Sequence, residues 1–244
     1  MAKRVGVISD VHGNWHALEA VLAALDAEHP EEIWCLGDLV GYGPQPNACC
    51  AEVARRASVC LVGNHDLLAL GNTVLEGEFN PDAAAAGRWT RDALDDAARE
   101  FLGGLEPEAH RDGADLYHAS PRDPVWEYVL SEEAAHAALE ATTAPLVLVG
   151  HSHVPLAIAL EDGGVSGGVA AAGSEIDLAN RRWLLNPGSV GQPRDGDPRA
   201  AFLIVDLGER ASFYRVPYPI GATQTEVREA GLPDSLANRL GYGL

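Results

Sequence analysis

Apolar positions come in short bursts along this chain. In the first half each burst ends on a glycine or a polar residue, and a helical pattern follows. Residues 4–9 (RVGVIS) have the pattern of a buried strand. Residues 14–30 then carry apolar positions at helical spacing, with Asn14 placed to cap them. Residues 32–37 (EIWCLG) predict a second strand, 46–57 a helix opened by proline, and 58–63 (SVCLVG) a third strand. This βαβαβ order predicts a sheet with parallel strands and helices packed on it.

The middle reads as loop over 73–81 and as helix over most of 81–105, closed by Gly103 and Gly104. Residues 114–120 (ADLYHAS) predict a strand. A helix follows over 131–143, with Ser131 at its start and Glu132 and Glu133 in its first turn. Residues 145–150 (PLVLVG) predict another strand. After Pro155 the style changes to hairpins, with turns expected at Asp162–Gly163, Pro187–Gly188 and Leu207–Gly208. From Thr223 the chain reads as helix and then as irregular tail. No linker and no repeat divides it. The expectation is an α/β protein, one domain over residues 1–244, with two sheets packed together and helices outside.

Length and charge narrow the function classes. A chain of 244 residues, 47% hydrophobic, can bury a sizeable core. Its 36 acidic and 17 basic residues give a formal net charge of −19. Such a surface repels polyphosphate chains and anionic membranes, so neither nonspecific nucleic-acid binding nor membrane docking is expected. A small anionic substrate then needs a local cationic site, which bound metal can provide. The four cysteines, Cys35, Cys49, Cys50 and Cys60, form no CxxC pattern and read as reduced, mostly buried thiols. The first apolar stretch is too short for a signal peptide, and no window approaches a membrane span, so a cytoplasmic location is expected. The strand-rich second half offers an edge for homo-oligomerisation, which the sequence leaves open.

The chemistry sits where the predicted strands end. The first delivers Asp10 and His12, the second Asp38, and the third Asn64, His65 and Asp66. Residues 114–120 deliver His118, and 145–150 deliver His151 and His153. Ligands of open α/β sheets bind outside the carboxyl ends of strands. Singly, each has a plainer explanation: Asp10 or Asn14 as a helix cap, Asp38 in a turn, His118 as a structural histidine. Jointly that explanation weakens, because five of the chain's nine histidines lie at these strand ends. Oxygen and nitrogen donors without sulfur suit Mn, Fe, Zn, Co or Ni. Two such ions, about 3.5–4 Å apart and bridged by a carboxylate, can grip a phosphoryl group and turn a bridging water into an attacking hydroxide. A nearby imidazolium can protonate the departing oxygen.

The ordered set DVH (10–12), GD (37–38), GNHD (63–66), His118 and GHSH (150–153) resembles the calcineurin-like metallophosphoesterase superfamily, and NPGSVG (186–191) extends the likeness. Within it the chain looks most similar to the small bacterial phosphodiesterases of the YfcE-like group. The resemblance implies a four-layer fold, two packed mixed β-sheets flanked by α-helices. It implies two divalent ions, manganese foremost, with Fe, Zn, Ni or Co as alternatives. Asp10, His12 and His153 would hold one ion, and Asn64, His118 and His151 the other, with Asp38 between them. His65 would contact the phosphate and protonate the leaving group, and Asp66 would orient His65.

One departure matters. Protein serine/threonine phosphatases and dinucleoside tetraphosphatases of the superfamily carry GDxxDRG, whose arginine grips phosphate. Here residues 37–43 read GDLVGYG, with Tyr42 and no arginine. Arg122, four residues past His118, and Arg194 are the candidate replacements; each alternatively pairs at the surface with Asp123 or Asp195. The aromatic residues of WEYV (126–129) are expected in the core, with stacking on a substrate ring as the other option. The expected function is hydrolysis of small, nucleotide-like phosphodiesters by a metal-bridging hydroxide. Alternatives are a phosphomonoesterase, a dinucleoside polyphosphate hydrolase, or a non-catalytic scaffold. The scaffold predicts lost ligands or a lost His65, and none is lost.

Overall fold

The computed structural model describes residues 2–72 and 77–244. The loop expected from residue 73 therefore begins outside the described residues. Strands β1 (Arg4–Ile8), β2 (Glu32–Cys35) and β3 (Val59–Cys60) run parallel, as the βαβαβ pattern requires. Helices α1 (Trp15–Glu28) and α2 (Pro46–Arg56) connect them. Asn14 caps α1, accepting the Ala17 amide at 3.2 Å, and Pro46 opens α2.

Strands β4 (Glu108–Arg111), β5 (Ala114–Tyr117) and β6 (Leu146–Leu148) start a second sheet, joined by β7 (Leu156–Glu161), β8 (Gly164–Val169) and β10 (Trp183–Asn186). Its order is β4-β5-β6-β10-β7-β8. The first sheet is completed by β9 (Glu175–Asp177), β11 (Ala200–Asp206) and β12 (Arg210–Val216), in the order β3-β2-β1-β11-β12-β9. Each sheet mixes parallel and antiparallel pairs.

Side-chain alternation assigns the layers. Val5, Val7, Leu203 and Val205 face inward and meet Leu116, Leu148 and Leu185 of the other sheet. Their neighbours Ile8, Phe202 and Ile204 face outward and lie under Leu18, Val21 and Leu25 of α1. Across the molecule α6 (Glu132–Glu140) covers Val147 and Leu184 with Ala135, Ala138 and Leu139. The result is helices, sheet, sheet, helices, the expected four layers.

Four local expectations change. Residues 81–105 form two helices, α4 (Pro81–Ala93) and α5 (Asp96–Gly103), because the Asp95 carboxylate accepts the Ala98 amide at 2.8 Å and starts a new helix. Pro187–Gly188 is no hairpin: β10 pairs with β6 and β7, and the chain then crosses to β11 in the other sheet. The GNHD stretch opens a six-residue helix, α3 (Asn64–Ala69). The tail holds two helices, α7 (Ile220–Glu229) and α8 (Asp234–Leu240), packed with α4 around Tyr42. The turns at Asp162–Gly163 and Leu207–Gly208 close hairpins as expected.

Leu203 is fully buried between the sheets. Leu203→Ala should cost about 2–5 kcal/mol in urea denaturation, the range for a leucine truncated in a packed core. A loss below about 1 kcal/mol would mean the two sheets do not interlock there.

Candidate metal centre and its cavity

The five strand ends converge. Asp10, His12, Asp38 and His153 bring ligand atoms within 4.8 Å of one another, and so do Asp38, His118 and His151. Asp38 belongs to both groups. Its Oδ1 accepts the His65 amide at 2.9 Å, which turns Oδ2 toward His12 Nε2 at 3.7 Å and His118 Nε2 at 3.5 Å. Asn64 Oδ1 lies 3.2 Å from His118 Nε2, beside the second group.

The backbone is bent to achieve this. Asp10, His12, Asp38, His151 and His153 all have left-handed φ, between 51° and 61°. Each such non-glycine residue costs on the order of 1 kcal/mol or more, and such residues persist only where surrounding structure holds them. Here the holding is done by main-chain bonds and by the 186–191 loop. Asp10 and His12 donate their amides to Gly37 and Asp38 carbonyls. Asn186 Nδ2 donates to Gly150 O at 2.6 Å, and Ser189 Oγ donates to Asp10 O at 2.8 Å, tying β6 and β1 to one loop. Gly37 sits at φ +99°, a turn that glycine takes freely. Gly63 is needed for space: a Cβ there would lie 2.1 Å from Asp38 Oδ1.

The proton accounting at this centre calls for cations. His12 Nδ1 donates to Val40 O (3.0 Å), His118 Nδ1 to Leu36 O (2.8 Å) and His153 Nδ1 to Gln192 O (2.6 Å). Those bonds put the proton on Nδ1 and leave each Nε2 with a lone pair. Yet His12 Nε2 and His153 Nε2 face each other at 3.1 Å, and His153 Nε2 is 3.4 Å from Asp10 Oδ1. His151 is turned the other way: its Nε2 donates to Trp126 O at 3.2 Å, leaving Nδ1 for the centre. Both oxygens of Asp10 and Oδ2 of Asp38 are buried without a hydrogen-bond partner. Acceptors facing acceptors in a dry interior are costly unless a cation sits among them. The residues therefore fit a pair of divalent ions bound by N and O donors.

Titration behaviour follows from burial. It pushes Asp10 up to about 7, with Asp38's charge adding to it. Burial and the charge of Asp66 raise Asp38 well above the carboxylate range. Burial holds His12 and His153 well below the histidine range and takes His151 down to about 2.

A cavity of about 710 Å³ opens beside Asn64 and His65, lined also by Tyr42, Phe79, Trp126 and Arg194. His65 makes ring contacts with Tyr42 (4.4 Å), Phe79 (4.8 Å) and His12 (4.9 Å). Asp66 does not meet the expectation placed on it. Its carboxylate accepts the Val40 and Gly63 amides at 3.0 and 2.9 Å, while His65 Nδ1 has no hydrogen-bond partner. Asp66 thus braces the two loops that carry Asp38 and Asn64.

The two candidate arginines separate. Arg122 is half exposed, pairs with Glu127 at 2.8 Å and is not part of the cavity wall. Arg194 does line the cavity. It does not pair with Asp195, whose carboxylate is taken by Arg215. Trp126 and Tyr128 also line the cavity and so lie outside the core; Tyr128 stacks on His151 at 3.9 Å. The sequence reading missed Arg239 of α8 and Phe79, both in the same wall. Arg239 stands in a stretch read as irregular tail, and no motif marks either residue.

A model of the calcineurin-like phosphoesterase superfamily domain matches residues 4–210. The chain belongs to this superfamily. An uncharacterized protein of Methanocaldococcus jannaschii is 34% identical over 246 residues, covering 98% of each chain. The crystal structure of a metallophosphoesterase from Sphaerobacter thermophilus superposes with a TM-score of 0.90 at 42% identity, covering 100% of both chains. A hypothetical protein from Pyrococcus horikoshii shares the fold at 20% identity, with a TM-score of 0.81 over 99% of this chain and 98% of that one. The two packed six-stranded sheets flanked by helices are thus the metallophosphoesterase fold. Superfamily membership and the Asp/His clusters together make this a metallophosphoesterase-family chain with sites able to bind metal. Among the described residues no helix is long and apolar enough to cross a membrane.

Loading an ion on Asp10 requires the ionised carboxylate, and burial holds that group near pH 7. Below about pH 7 an entering ion must displace this proton, and the raised Asp38 can bring another, so Mn²⁺ affinity should fall by at least about tenfold per pH unit as the pH drops. His12, His151 and His153, held low by burial, are already neutral and add no proton in this range. Calorimetric titration of stripped protein at about pH 6 and about pH 8 checks this; equal affinities would remove the Asp10 proton from the account.

Proposed function

We propose that the protein is a two-metal phosphoesterase that hydrolyses small, nucleotide-like phosphodiesters. The carrying observation is that Asp38 is shared by two ligand groups, next to a cavity lined by Asn64 and His65. In this reading Asp10, His12 and His153 hold one divalent ion, Asn64, His118 and His151 the other, and Asp38 joins them. Manganese is the first ion to supply. Bound at this pair, divalent ions supply Lewis acidity toward phosphoryl oxygens and acidify water.

The chain's own residues do the rest. The main-chain carbonyls of Val40, Leu36 and Gln192 fix the imidazole tautomers, so that every lone pair points at the centre. His65 stands at the cavity side. Burial, with the charge of Arg194 adding to it, keeps it neutral there. It therefore serves a bound phosphoryl group as a hydrogen-bond donor, and the negative charge of that group favours its protonation toward the leaving oxygen. Trp126, Phe79 and Tyr128 supply flat apolar surface for a base or aryl ester. The partner is a small molecule: a net charge of −19 opposes long nucleic acid and anionic membranes alike. The scaffold alternative has little to recommend it, since the expected ligand positions and His65 are all filled by donor side chains.

Metal-stripped protein reloaded in turn with Mn²⁺, Ni²⁺, Zn²⁺ or Mg²⁺ should hydrolyse bis-p-nitrophenyl phosphate faster than p-nitrophenyl phosphate. The reverse preference would replace the diesterase with a monoesterase. No turnover with any ion would sink the reading.

Asp38→Asn should lower metal content and abolish turnover. His65→Ala should retain the metals and lose about 10²–10⁴ in kcat, more on an alkyl ester than on a p-nitrophenyl ester. Equal losses on the two esters would remove His65 from the protonation of the leaving group.

A further inference from the structure

Tyr42 stands where related GDxxDRG sequences place an arginine, and two guanidinium groups lie against it. Arg194 Cζ is 5.9 Å and Arg239 Cζ 5.6 Å from the centre of its ring. The ring is buried, and its other neighbours are His12 and His65, at 4.7 and 4.4 Å. One aromatic platform thus connects the metal centre to two cations.

Both arginines are held in place by hydrogen bonds. Arg194 Nη2 donates to Tyr42 Oη at 3.2 Å and to Gln192 Oε1 at 3.1 Å, and Arg194 Nε is buried with no partner. Arg239 Nε donates to Leu244 O at 2.5 Å. Gly196 N donates to Gly243 O at 3.0 Å, which clasps the segment after Arg194 to the segment after Arg239. Among the described residues neither guanidinium has an Asp or Glu carboxylate at ion-pair distance, although acids outnumber bases 36 to 17. Arg4, Arg55, Arg56, Arg199 and Arg215 are all paired. Burial and the charge of Arg194 pull the pKa of Arg239 down, against a weaker upward pull from Tyr42 and Asp82.

Both line the cavity next to His65. Arg194 is the inner one: its amide donates to His153 O at 3.4 Å, two residues after the carbonyl that orients His153. The one carboxylate in the cavity wall among the described residues is that of the exposed Glu78, which disfavours an anion on its own side. Two fork-shaped cations in one cavity wall, neither with an Asp or Glu partner, suit a phosphate group.

We propose that Arg194 and Arg239, set on Tyr42, form a second anion subsite that takes a phosphate other than the one being cleaved. The preferred substrate is then a phosphoester that carries a second phosphate group. This inference rests on the phosphoesterase reading for the neighbouring centre.

The test is calorimetric binding to Mn²⁺-loaded protein, with adenosine 3′,5′-bisphosphate and adenosine 5′-monophosphate as probes. Wild type should bind the bisphosphate at least about tenfold tighter, the scale of one charge-assisted contact. Arg239→Gln should bring the two affinities within about twofold of each other, and Arg239→Lys, which keeps the charge without the fork, should keep only part of the preference. Equal affinities in wild type would overturn the subsite, and so would a wild-type ratio in the folded Arg239→Gln protein. The readout is binding, so the two readings separate. A bisphosphate preference in protein that turns over no ester would support the subsite while overturning the phosphoesterase.

Discussion

His12 and His153 point bare nitrogens at each other across 3.1 Å, and beside them Asp10 has two oxygens with nothing to accept. Neither imidazole has a proton on that side, because the Val40 and Gln192 carbonyls hold the Nδ1 protons. In a dry interior this is repulsion by construction. Much of the neighbouring geometry becomes intelligible once that cluster is taken as a cation site. Asp38 spends one oxygen on the His65 amide so that the other can stand between two imidazoles. Gly63 has no side chain because one would strike Asp38.

The left-handed residues carry the same logic into the backbone. Asp10, His12, Asp38, His151 and His153 are each bent in a way that L residues avoid. The compensation lies in the sandwich. Strand β1 is hydrogen-bonded on both sides, to β2 and β11, and its end is tied through the 186–191 loop to β6 of the other sheet. Two sheets with a shared apolar interior hold the strand ends still, so the turns beyond them can be strained without relaxing.

This division explains what the sequence made visible. The strands that end on Asp10, Asp38, Asn64 and His151 are short local patterns, and their terminal motifs are contiguous. Hence the convergence of these strand ends, and two packed sheets with helices outside, could be read before any coordinates. Features made by tertiary contact could not. Strands β4 and β9 are short and partly polar, and the partner of β9, β12, lies beyond β10 and β11 in the chain. Pro187–Gly188 has the composition of a hairpin turn, but its neighbours Asn186 and Ser189 are spent bridging two sheets. Asp66 adjoins His65 in sequence, yet its oxygens are occupied by the Gly63 and Val40 amides, so adjacency misled. Arg122 follows His118 closely but turns out to Glu127, whereas Arg239, remote in sequence from every ligand, folds back on Tyr42.

Charge gives the cavity its character. The molecule as a whole carries −19, and most of its arginines are neutralised by that excess of acid. Arg194 and Arg239 have no Asp or Glu partner among the described residues, because α8 and the 187–199 connection bring them to a wall rich in aromatic side chains. Screening water is scarce around the buried Tyr42 ring, so a cation there acts at greater strength than one at the surface. Divalent ions at the neighbouring clusters would add to that field. An acidic exterior around a cationic recess opposes long polyanions more than small anions. In the proposed reading, selectivity for small substrates would follow from where these two arginines are placed, as much as from the residues that would hold metal.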